Sequence, residues 1–279
     1  MKLNLSEKIG SFKLRTLNYW AFWLHFLSAI GLAIYFSIDR QNVNINTDLY
    51  TYKITGISGP NNTDLTFEFG DDGPKIPVSD ISLKIIVALI FFITALFHLY
   101  YYKSEWYLKE VASGKNRLRW VEYGITASLM IFLFAIIASI KELYSTLSLV
   151  CFNIVLMSIG YFFEMSSDRP VKLSALIMGF FILTVTWAII FGQFFPNVKA
   201  AQDDGVDVPG WVYGVLFPMF FAWIAFGVIA VLNFRAYQKK GYKFSRYEKY
   251  YIFLSYASKA FMGYYLAFGL TRPASTKSS

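Results

Sequence analysis

Seven long apolar runs constrain the fold of this chain more than any other feature of its sequence. Each has about 20 residues, the length that an α-helix needs to cross the hydrocarbon core of a bilayer. Hydrophobic residues make up 56% and aromatic residues 20% of the 279 residues. We therefore expect an all-α membrane protein with seven transmembrane helices. The runs cover residues 18–38, 81–102, 118–139, 143–163, 173–195, 210–233 and 248–270.

The charged residues between the runs predict an orientation. If the runs alternate across the membrane, the N-terminal side carries 17 cations and six anions, and the other side carries eight cations and 11 anions. Because cytoplasmic loops are enriched in Lys and Arg, we expect a cytoplasmic N-terminus and an extracellular C-terminus. The net charge of +8 then reflects orientation, and no basic-aromatic motif indicates nucleic-acid binding. We expect the whole chain, residues 1–279, to form one domain in the lipid bilayer.

The first extracellular connection, residues 39–80, is the one long loop that the seven runs leave on the outer side. Two alternating segments, 50–54 and 65–69, flank the turn-rich segment 56–64, which is the pattern of a β-hairpin with a long loop. Because an isolated hairpin is marginally stable in water, we expect it to rest on the outer face of the protein or on a partner subunit.

The last apolar run carries a charge near its centre. Lys259 is the single charged residue between Lys249 and Arg272. A lysine at such a depth costs about 2.5–3.5 kcal/mol and therefore marks a functional site by default. The alternative, a side chain that extends to the interface, is opposed by the distance of about 15 Å to the nearest helix end. A buried lysine can also act as a nucleophilic amine, which is the chemistry of Schiff bases.

A buried cation requires a partner, and Glu122 is the carboxylate that lies within one of the predicted helices. Its depth in the third run allows its side chain to meet that of Lys259. The alternative is an interfacial carboxylate that pairs with Arg117 or Arg119. Ser255 lies one turn before Lys259 on the same face. Its hydroxyl is expected to bond the lysine nitrogen, or else a carbonyl of its own helix.

Further side chains are candidates for the wall of a pocket around this amine. Thr126 and Leu129 follow Glu122 along one helix, and the fifth and sixth runs supply aromatic residues. In a chain so rich in aromatic residues, the alternative for each of them is a position facing lipid or the core. The candidate wall residues are Tyr123, Thr126, Leu129, Trp187, Phe217, Phe221 and Trp223.

Both histidines also fall inside apolar runs. His25 and His98 lie in the cytoplasmic half of the predicted bundle, and Glu164 and Glu248 lie closer to the cytoplasm. This distribution predicts a polar, water-containing cavity on the cytoplasmic side of the amine. One alternative is two separate histidines that serve helix packing. A metal site with Glu122 is the other, but the positions lack any ligand-spacing signature, so we expect no metal.

Seven helices with a lysine in the seventh and a carboxylate in the third resemble the rhodopsins. Residues 120–130 (WVEYGITASLM) and 255–259 (SYASK), the two intramembrane histidines and the hairpin after the first run are together similar to heliorhodopsins. Ordinary microbial rhodopsins have their N-terminus outside and usually carry an aspartate where this chain has Ser255. Gly124 departs from the small polar residue that the resemblance leads us to expect at its position.

The resemblance implies all-trans retinal bound covalently to Lys259 as a protonated Schiff base, with Glu122 as its counterion. It also implies a homodimer to which the hairpin contributes. Photoisomerisation would then let the nitrogen lose its proton transiently to the cytoplasmic cavity. The expected proton network consists of His25, His98, Glu164 and Glu248.

We therefore expect a light-sensing protein without enzymatic activity, which signals to an unidentified cytoplasmic partner. Net pumping is not expected, because the outer half of the third helix, residues 131–138, contains no carboxylate. Two alternatives stay open at this point. One is a light-driven proton transporter or channel. The other is a seven-helix receptor or transporter without retinal, in which Lys259 holds an anionic substrate.

Overall fold

A computed structural model describes residues 5–38, 46–51, 56–58, 64–66 and 75–270 of the chain. These residues form eight helices and four short strands. The helices are α1 (Leu5–Ile38), α2 (Leu83–Lys103), α3 (Glu105–Ala112), α4 (Arg117–Ile137), α5 (Leu143–Met165), α6 (Arg169–Asp203), α7 (Gly210–Ala236) and α8 (Phe244–Leu270). The strands are β1 (Asn46–Thr51), β2 (Gly56–Ser58), β3 (Asp64–Thr66) and β4 (Lys75–Ser82).

Six helices of the described residues are long and apolar enough to cross a membrane, namely α1 from Lys13 onwards, α2, α4, α5, α6 and α7. Helix α8 has 27 residues but does not belong to this group. It is less apolar than the others because it is rich in tyrosine and carries Lys259, Ser255 and Ser258. The structure thus supports six of the seven expected membrane-spanning helices, and the seventh stays a prediction.

The long helices form a bundle, and one side of α8 is buried within it. Each helix from α4 to α8 packs against the next along the chain, and α1 packs against α2 and α8. Helix α2 also contacts α4 and α8, so that α8 touches α1, α2 and α7. Large apolar side chains such as Ile177, Phe181 and Phe253 are exposed on the outside of the bundle. This surface is what a protein surrounded by lipid requires.

Polar residues at the connections define where the helices begin. Ser104 precedes α3, and its Oγ accepts a hydrogen bond from Tyr107 N at 3.2 Å. Asn116 precedes α4, and its Oδ1 accepts from Arg119 N at 3.3 Å. Both side chains satisfy backbone donors that have no partner within the helix. Helix α3 was not predicted from the sequence, because it is short and lies between two apolar runs.

The β-hairpin after the first helix is confirmed, with strands that differ in part from those expected. Strand β1 pairs antiparallel with β4, and β2 pairs antiparallel with β3. Strand β2 falls inside the segment that was predicted to be a loop, and β4 was not predicted at all. Pro77 and Asp80 disfavour a strand by composition, and pairing with β1 overrides them. Residues 52–55 and 67–74, which include parts of the predicted strands, lie outside the described residues.

The hairpin rests on the turn that joins α4 to α5. Tyr50 N donates to Lys141 O at 3.0 Å, and Tyr50 also forms a parallel bridge with Glu142. Leu49 is buried beside this contact. The ladder between β1 and β4 is irregular on both sides of Leu49. Between the paired residues of this ladder, Asp80 N donates to Asp48 Oδ1 at 2.9 Å. The hairpin therefore packs against the end of the bundle at which α4 is joined to α5, and the location of that end outside the cell stays a prediction.

The packing of α8 against α2 is close just beyond the centre of α8. Gly263 lies one turn after Lys259, and a Cβ atom at that position would collide with the ring of Phe91. Phe91 is completely buried. The absence of a side chain at Gly263 is therefore what allows the two helices to approach, and the aromatic ring of Phe91 lies directly on the backbone of α8.

Candidate functional site

Lys259 lies near the centre of α8 and meets the carboxylate of α4. Its Nζ donates a hydrogen bond to Glu122 Oε1 at 2.9 Å and another to Ser255 Oγ at 3.0 Å. The side chains of Lys259 and Glu122 are each 3% exposed. Charges so deeply buried must be paired, and these two neutralise each other. The structure thus brings together the amine, the carboxylate and the serine that the sequence singled out.

The two serines of α8 near Lys259 behave differently. Ser258 Oγ donates to Ser255 O at 3.2 Å, which is the usual bond of a serine to its own helix. Ser255 Oγ instead accepts a hydrogen bond from the lysine nitrogen. On the other side, the ring of Tyr123 has its centroid 5.2 Å from Nζ. The negative face of that ring adds to the stabilisation of a positive charge on the nitrogen.

An elongated apolar cavity of about 120 Å³ begins at Lys259 and extends between helices α4 to α8. Two glycines shape its wall. A Cβ atom at Gly160 would collide with the ring of Trp120, and one at Gly227 would lie 2.8 Å from the ring of Phe180. Aromatic rings thus occupy the space that side chains at these positions would fill. The wall includes Met130, Leu156, Met157, Phe163, Leu176, Gly179, Leu183, Phe226 and Tyr251.

Four of the predicted neighbours of Lys259 line this cavity, namely Tyr123, Thr126, Trp223 and Ser255. The hydroxyl of Thr126 donates to Glu122 O at 3.0 Å, so it is occupied by its own helix. Leu129 does not line the cavity. It lies two turns after Glu122 and shares that residue's face of α4, whereas the cavity borders the adjacent face.

The remaining predicted wall residues lie in a second layer or outside. Trp187 is buried, and its ring packs against those of Trp223 at 6.0 Å and Phe134 at 5.7 Å. It therefore supports the wall without lining it. Phe217 stacks on Phe191 at 5.3 Å. Phe221 is 63% exposed and faces outward. The cavity-lining faces of α5 and α6 were missed, because helices that are apolar all round give no periodic signal.

The two histidines form one pair. Their rings are stacked with centroids 5.2 Å apart, which excludes the alternative of two separate packing residues. His25 Nδ1 lies 2.8 Å from Ala21 O, and His98 Nδ1 lies 2.8 Å from Asn18 Oδ1. The ring of His25 also lies 5.2 Å from that of Tyr256, the neighbour of Ser255 in α8. The imidazole pair is therefore packed against the helix that carries the lysine.

A buried ionic cluster lies where α4 and α8 begin and α5 ends. The guanidinium of Arg119 forms ion pairs with both Glu164 and Glu248. Asn116 donates through Nδ2 to Glu248 Oε1 at 2.9 Å and through its backbone N to Glu164 Oε1. The ring of Tyr251 covers the guanidinium at 4.0 Å. Glu164 and Glu248, which were expected near the cytoplasm, thus meet around one arginine.

This cluster decides between the two interpretations of Glu122. Arg119 is occupied by Glu164 and Glu248, and Arg117 pairs with Glu110, with Nε 2.9 Å from Oε2. Neither arginine is paired with Glu122. The buried position of Arg119 was not predicted. Its signal in the sequence was an arginine and two glutamates at similar depths on three different helices.

The residues at the cavity fit a retinal molecule. A primary amine at one end can react with an aldehyde, and the adjacent carboxylate can hold a positive charge on the resulting nitrogen. The rest of the wall is apolar and aromatic, which suits a polyene chain. Among the described residues, no group of three or more His, Cys, Asp or Glu is arranged to hold a metal ion.

Comparisons with solved structures identify the fold. The transmembrane domain of the Salpingoeca rosetta rhodopsin phosphodiesterase is 12% identical, with a TM-score of 0.57 and 96% of each chain covered. Exiguobacterium sibiricum rhodopsin is 16% identical, with a TM-score of 0.54, and 92% of this chain and 96% of that chain are covered. A structure described as thermophilic rhodopsin is 11% identical, with a TM-score of 0.57 and 96% and 93% coverage. At these identities the similarity shows the fold alone.

Sequence comparison identifies the family. No curated protein matches this chain. The family model of the heliorhodopsins matches residues 14–270. The match covers most of the sequence and includes Lys259, Glu122, Ser255 and both histidines. This protein therefore belongs to the heliorhodopsin family.

Proposed function

We propose that this protein is a light sensor that carries all-trans retinal covalently on Lys259, with Glu122 as the counterion. The observation that carries the proposal is the buried amine of Lys259, which borders an apolar cavity and lies 2.9 Å from a buried carboxylate. Membership of the heliorhodopsin family supports retinal as the chromophore. When bound, retinal supplies the absorption of visible light and a double bond that isomerises.

The residues of the chain have separate roles in this proposal. Lys259 provides the amine for attachment, Glu122 holds the positive charge on the attached nitrogen, and Ser255 accepts a hydrogen bond from it. Tyr123, Thr126 and Trp223 bound the cavity near that nitrogen. Their ring and methyl surfaces exclude water, which strengthens the attraction between the nitrogen and Glu122.

A proton that leaves the nitrogen is expected to move to the side of His25 and His98. A displacement of the nitrogen from Glu122 Oε1 removes the interaction that holds this proton. Glu164 and Glu248 lie further along the same side, so the acceptors of the expected network are arranged in one direction from the site.

The one-sided arrangement favours sensing over pumping. Directed transport needs an acceptor on one side of the nitrogen and a donor on the other. Beyond Glu122, residues 131–138 of α4 contain no carboxylate. A proton that moves to the histidine side can return to the same nitrogen, which gives a cycle without net transport. The deprotonated state would then be the signal for a cytoplasmic partner.

We further propose that α8 is the seventh membrane-spanning helix, with the N-terminus in the cytoplasm and the C-terminus outside. The packing of α8 against α1, α2 and α7 supports a spanning helix in spite of its polar residues. The excess of cations on the N-terminal side supports the orientation. The extracellular hairpin is proposed to contribute to a homodimer.

Addition of all-trans retinal to the expressed apoprotein tests the function. We expect a visible absorption band to develop with one retinal per chain. Retinol is the matched control, because it has the same polyene but no aldehyde, and it should give no such band. If retinal produces no visible band, the protein is a receptor or transporter of another kind and the proposal is wrong.

A further inference from the structure

The amide of Asn18 has a defined orientation, which determines the tautomer of His98. Asn18 Nδ2 lies 3.0 Å from Leu14 O and 3.2 Å from the hydroxyl of Tyr107. A backbone carbonyl can only accept, so the NH₂ end of the amide must face Leu14. The oxygen end therefore faces His98 Nδ1 at 2.8 Å. Because that oxygen is also only an acceptor, His98 must carry its proton on Nδ1.

The same reasoning applies to His25. Its Nδ1 lies 2.8 Å from Ala21 O, a backbone carbonyl, so Nδ1 must again be the donor. In each neutral imidazole the other nitrogen, Nε2, then has a free lone pair. Both Nε2 atoms are buried and have no hydrogen-bond partner among the described residues. Two proton acceptors are thus present side by side in stacked rings.

The hydrogen bonds beyond His98 all run in one direction. His98 Nδ1 donates to Asn18 Oδ1, Asn18 Nδ2 donates to the hydroxyl oxygen of Tyr107, and that hydroxyl donates to Glu248 Oε1 at 3.1 Å. The chain ends on a carboxylate that Arg119 and Asn116 hold in place. A negative charge at its far end polarises each bond and favours positive charge at the histidine end.

Other titratable groups are packed around the two histidines, but none of them forms a hydrogen bond with an Nε2 atom among the described residues. The ring of Tyr101 lies 5.8 Å from that of His98, and the ring of Tyr256 lies 5.2 Å from that of His25. Lys259 Nζ is itself paired with Glu122 Oε1 at 2.9 Å. The Nδ1 atoms are engaged, and only the Nε2 atoms are available for a proton.

We propose that Asn18, held by Leu14 O and Tyr107, is the positioning residue that fixes His98 in its Nδ1–H form. The Nε2 atoms of His98 and His25 are then available to accept the proton that leaves Lys259. In this step the N–H bond at Lys259 breaks and an Nε2–H bond forms, leaving one imidazolium and an unchanged Glu122 carboxylate. The source of the proton rests on the proposed function, whereas the tautomer does not.

Nitrogen NMR of the full-length protein in lipid bilayers tests the tautomer. The chain contains two histidines, so ¹⁵N-histidine labelling gives two imidazole spin systems, which His25→Gln assigns. We expect both to be neutral with the proton on Nδ1, before and after retinal is added. A wild-type His98 with its proton on Nε2 would overturn the proposal.

Substitutions of Asn18 separate positioning from general structural support. Asn18→Leu should abolish the single Nδ1–H pattern of His98, whereas His25, held by Ala21 O, serves as an internal control and stays unchanged. Asn18→Asp keeps an oxygen acceptor for Nδ1, so His98 should retain a proton on Nδ1 although the bonds to Leu14 O and Tyr107 are lost. If His98 is the same in Asn18→Leu as in the wild type, Asn18 does not position it.

Illumination tests the acceptor role. At the stage at which the retinal-loaded protein has lost its visible band, Nε2 of one histidine should gain a proton. Tyr107→Phe removes the link between Asn18 and Glu248 but keeps the ring that stacks on Tyr101 at 4.7 Å. It should reduce the protonated histidine signal several-fold and leave the dark tautomer intact. Loss of the visible band without any change at either histidine would overturn this role, whereas failure to form a band at all contradicts the proposed function only.

Discussion

Lys259 Nζ and Glu122 Oε1 lie 2.9 Å apart although 137 residues separate them in the sequence. The contact joins α8 to α4 in a buried site where neither charge has access to water. Because each charge neutralises the other, a change at either residue affects both the stability of the protein and the properties of any chromophore attached to the lysine.

Lys259→Ala is expected to abolish the visible absorption band that all-trans retinal produces. No other lysine borders the cavity among the described residues, so no second amine is available for attachment. The measurement is an absorption spectrum of purified protein after incubation with retinal. Lys249→Ala is the matched control, because Lys249 lies on the same helix outside the cavity, and it should keep the band. A band in Lys259→Ala that resists hydroxylamine would show that retinal is attached elsewhere.

Glu122→Gln is expected to change the colour of the pigment. The amide has nearly the shape of the carboxylate but no negative charge, so the attached nitrogen holds its proton less firmly. Part of the pigment should absorb in the near ultraviolet at neutral pH. The remaining protonated form should absorb further to the red or respond to added anions. An absorption spectrum and a pH titration identical to the wild type would assign the counterion to another residue.

The pair should also stabilise the protein before retinal is bound. Lys259→Ala leaves the carboxylate of Glu122 buried without a partner, which costs about 3–5 kcal/mol in comparable buried pairs. The double variant Lys259→Ala, Glu122→Gln removes both charges and should recover much of that loss. Thermal unfolding of the apoprotein in detergent measures both. Equal melting temperatures for the single and double variants would show that the ion pair has little energetic effect.

Arg119 should be more important for stability than its neighbour Arg117. Arg119→Gln leaves Glu164 and Glu248 buried around an uncharged side chain, and we expect a loss of about 3–5 kcal/mol. Arg117→Gln is the matched control on the same turn. Its side chain is 42% exposed and pairs with one glutamate, Glu110, whose side chain is 7% exposed, so a smaller loss is expected than for Arg119→Gln. Similar losses in the two variants would contradict the structural role of the buried cluster.

Illumination is expected to produce no sustained photocurrent under voltage clamp and no net proton movement at a pH electrode. The reason is that the proposed proton carriers lie on one side of Lys259, so that a released proton returns to its origin. Cells that express the Lys259→Ala variant provide the baseline. A sustained, voltage-dependent proton current that Glu122→Gln abolishes would identify a transporter instead of a sensor.

The parts of the functional site that could be predicted from the sequence are those in which a charged residue lies inside an apolar run. Lys259 and Glu122 were identifiable because a charge inside an apolar run is energetically exceptional. Their contact could be inferred because their depths along two helices are comparable. The positions of six long helices followed from the apolar runs themselves.

Features that depend on contacts between distant segments could not be predicted in the same way. Strand β4 contains Pro77, and only its pairing with β1 shows that it is a strand. Helix α5 is apolar all round, so the contact of Gly160 with Trp120 has no periodic signal. The Nδ1–H form of His98 depends on Asn18, which is 80 residues away in sequence. The pattern of residues along the chain does not show which distant residues are in contact.

The close fit between Gly263 and Phe91 determines how the lysine of α8 is able to move. Rotation of α8 about its long axis would turn a side chain beside Gly263 towards the completely buried ring of Phe91, one turn away from Lys259. The helix is therefore restrained as a rigid body at this level, whereas the four rotatable carbon–carbon bonds of the lysine side chain are not. We therefore expect the nitrogen to leave Glu122 by a change of side-chain rotamer while the helix stays in place.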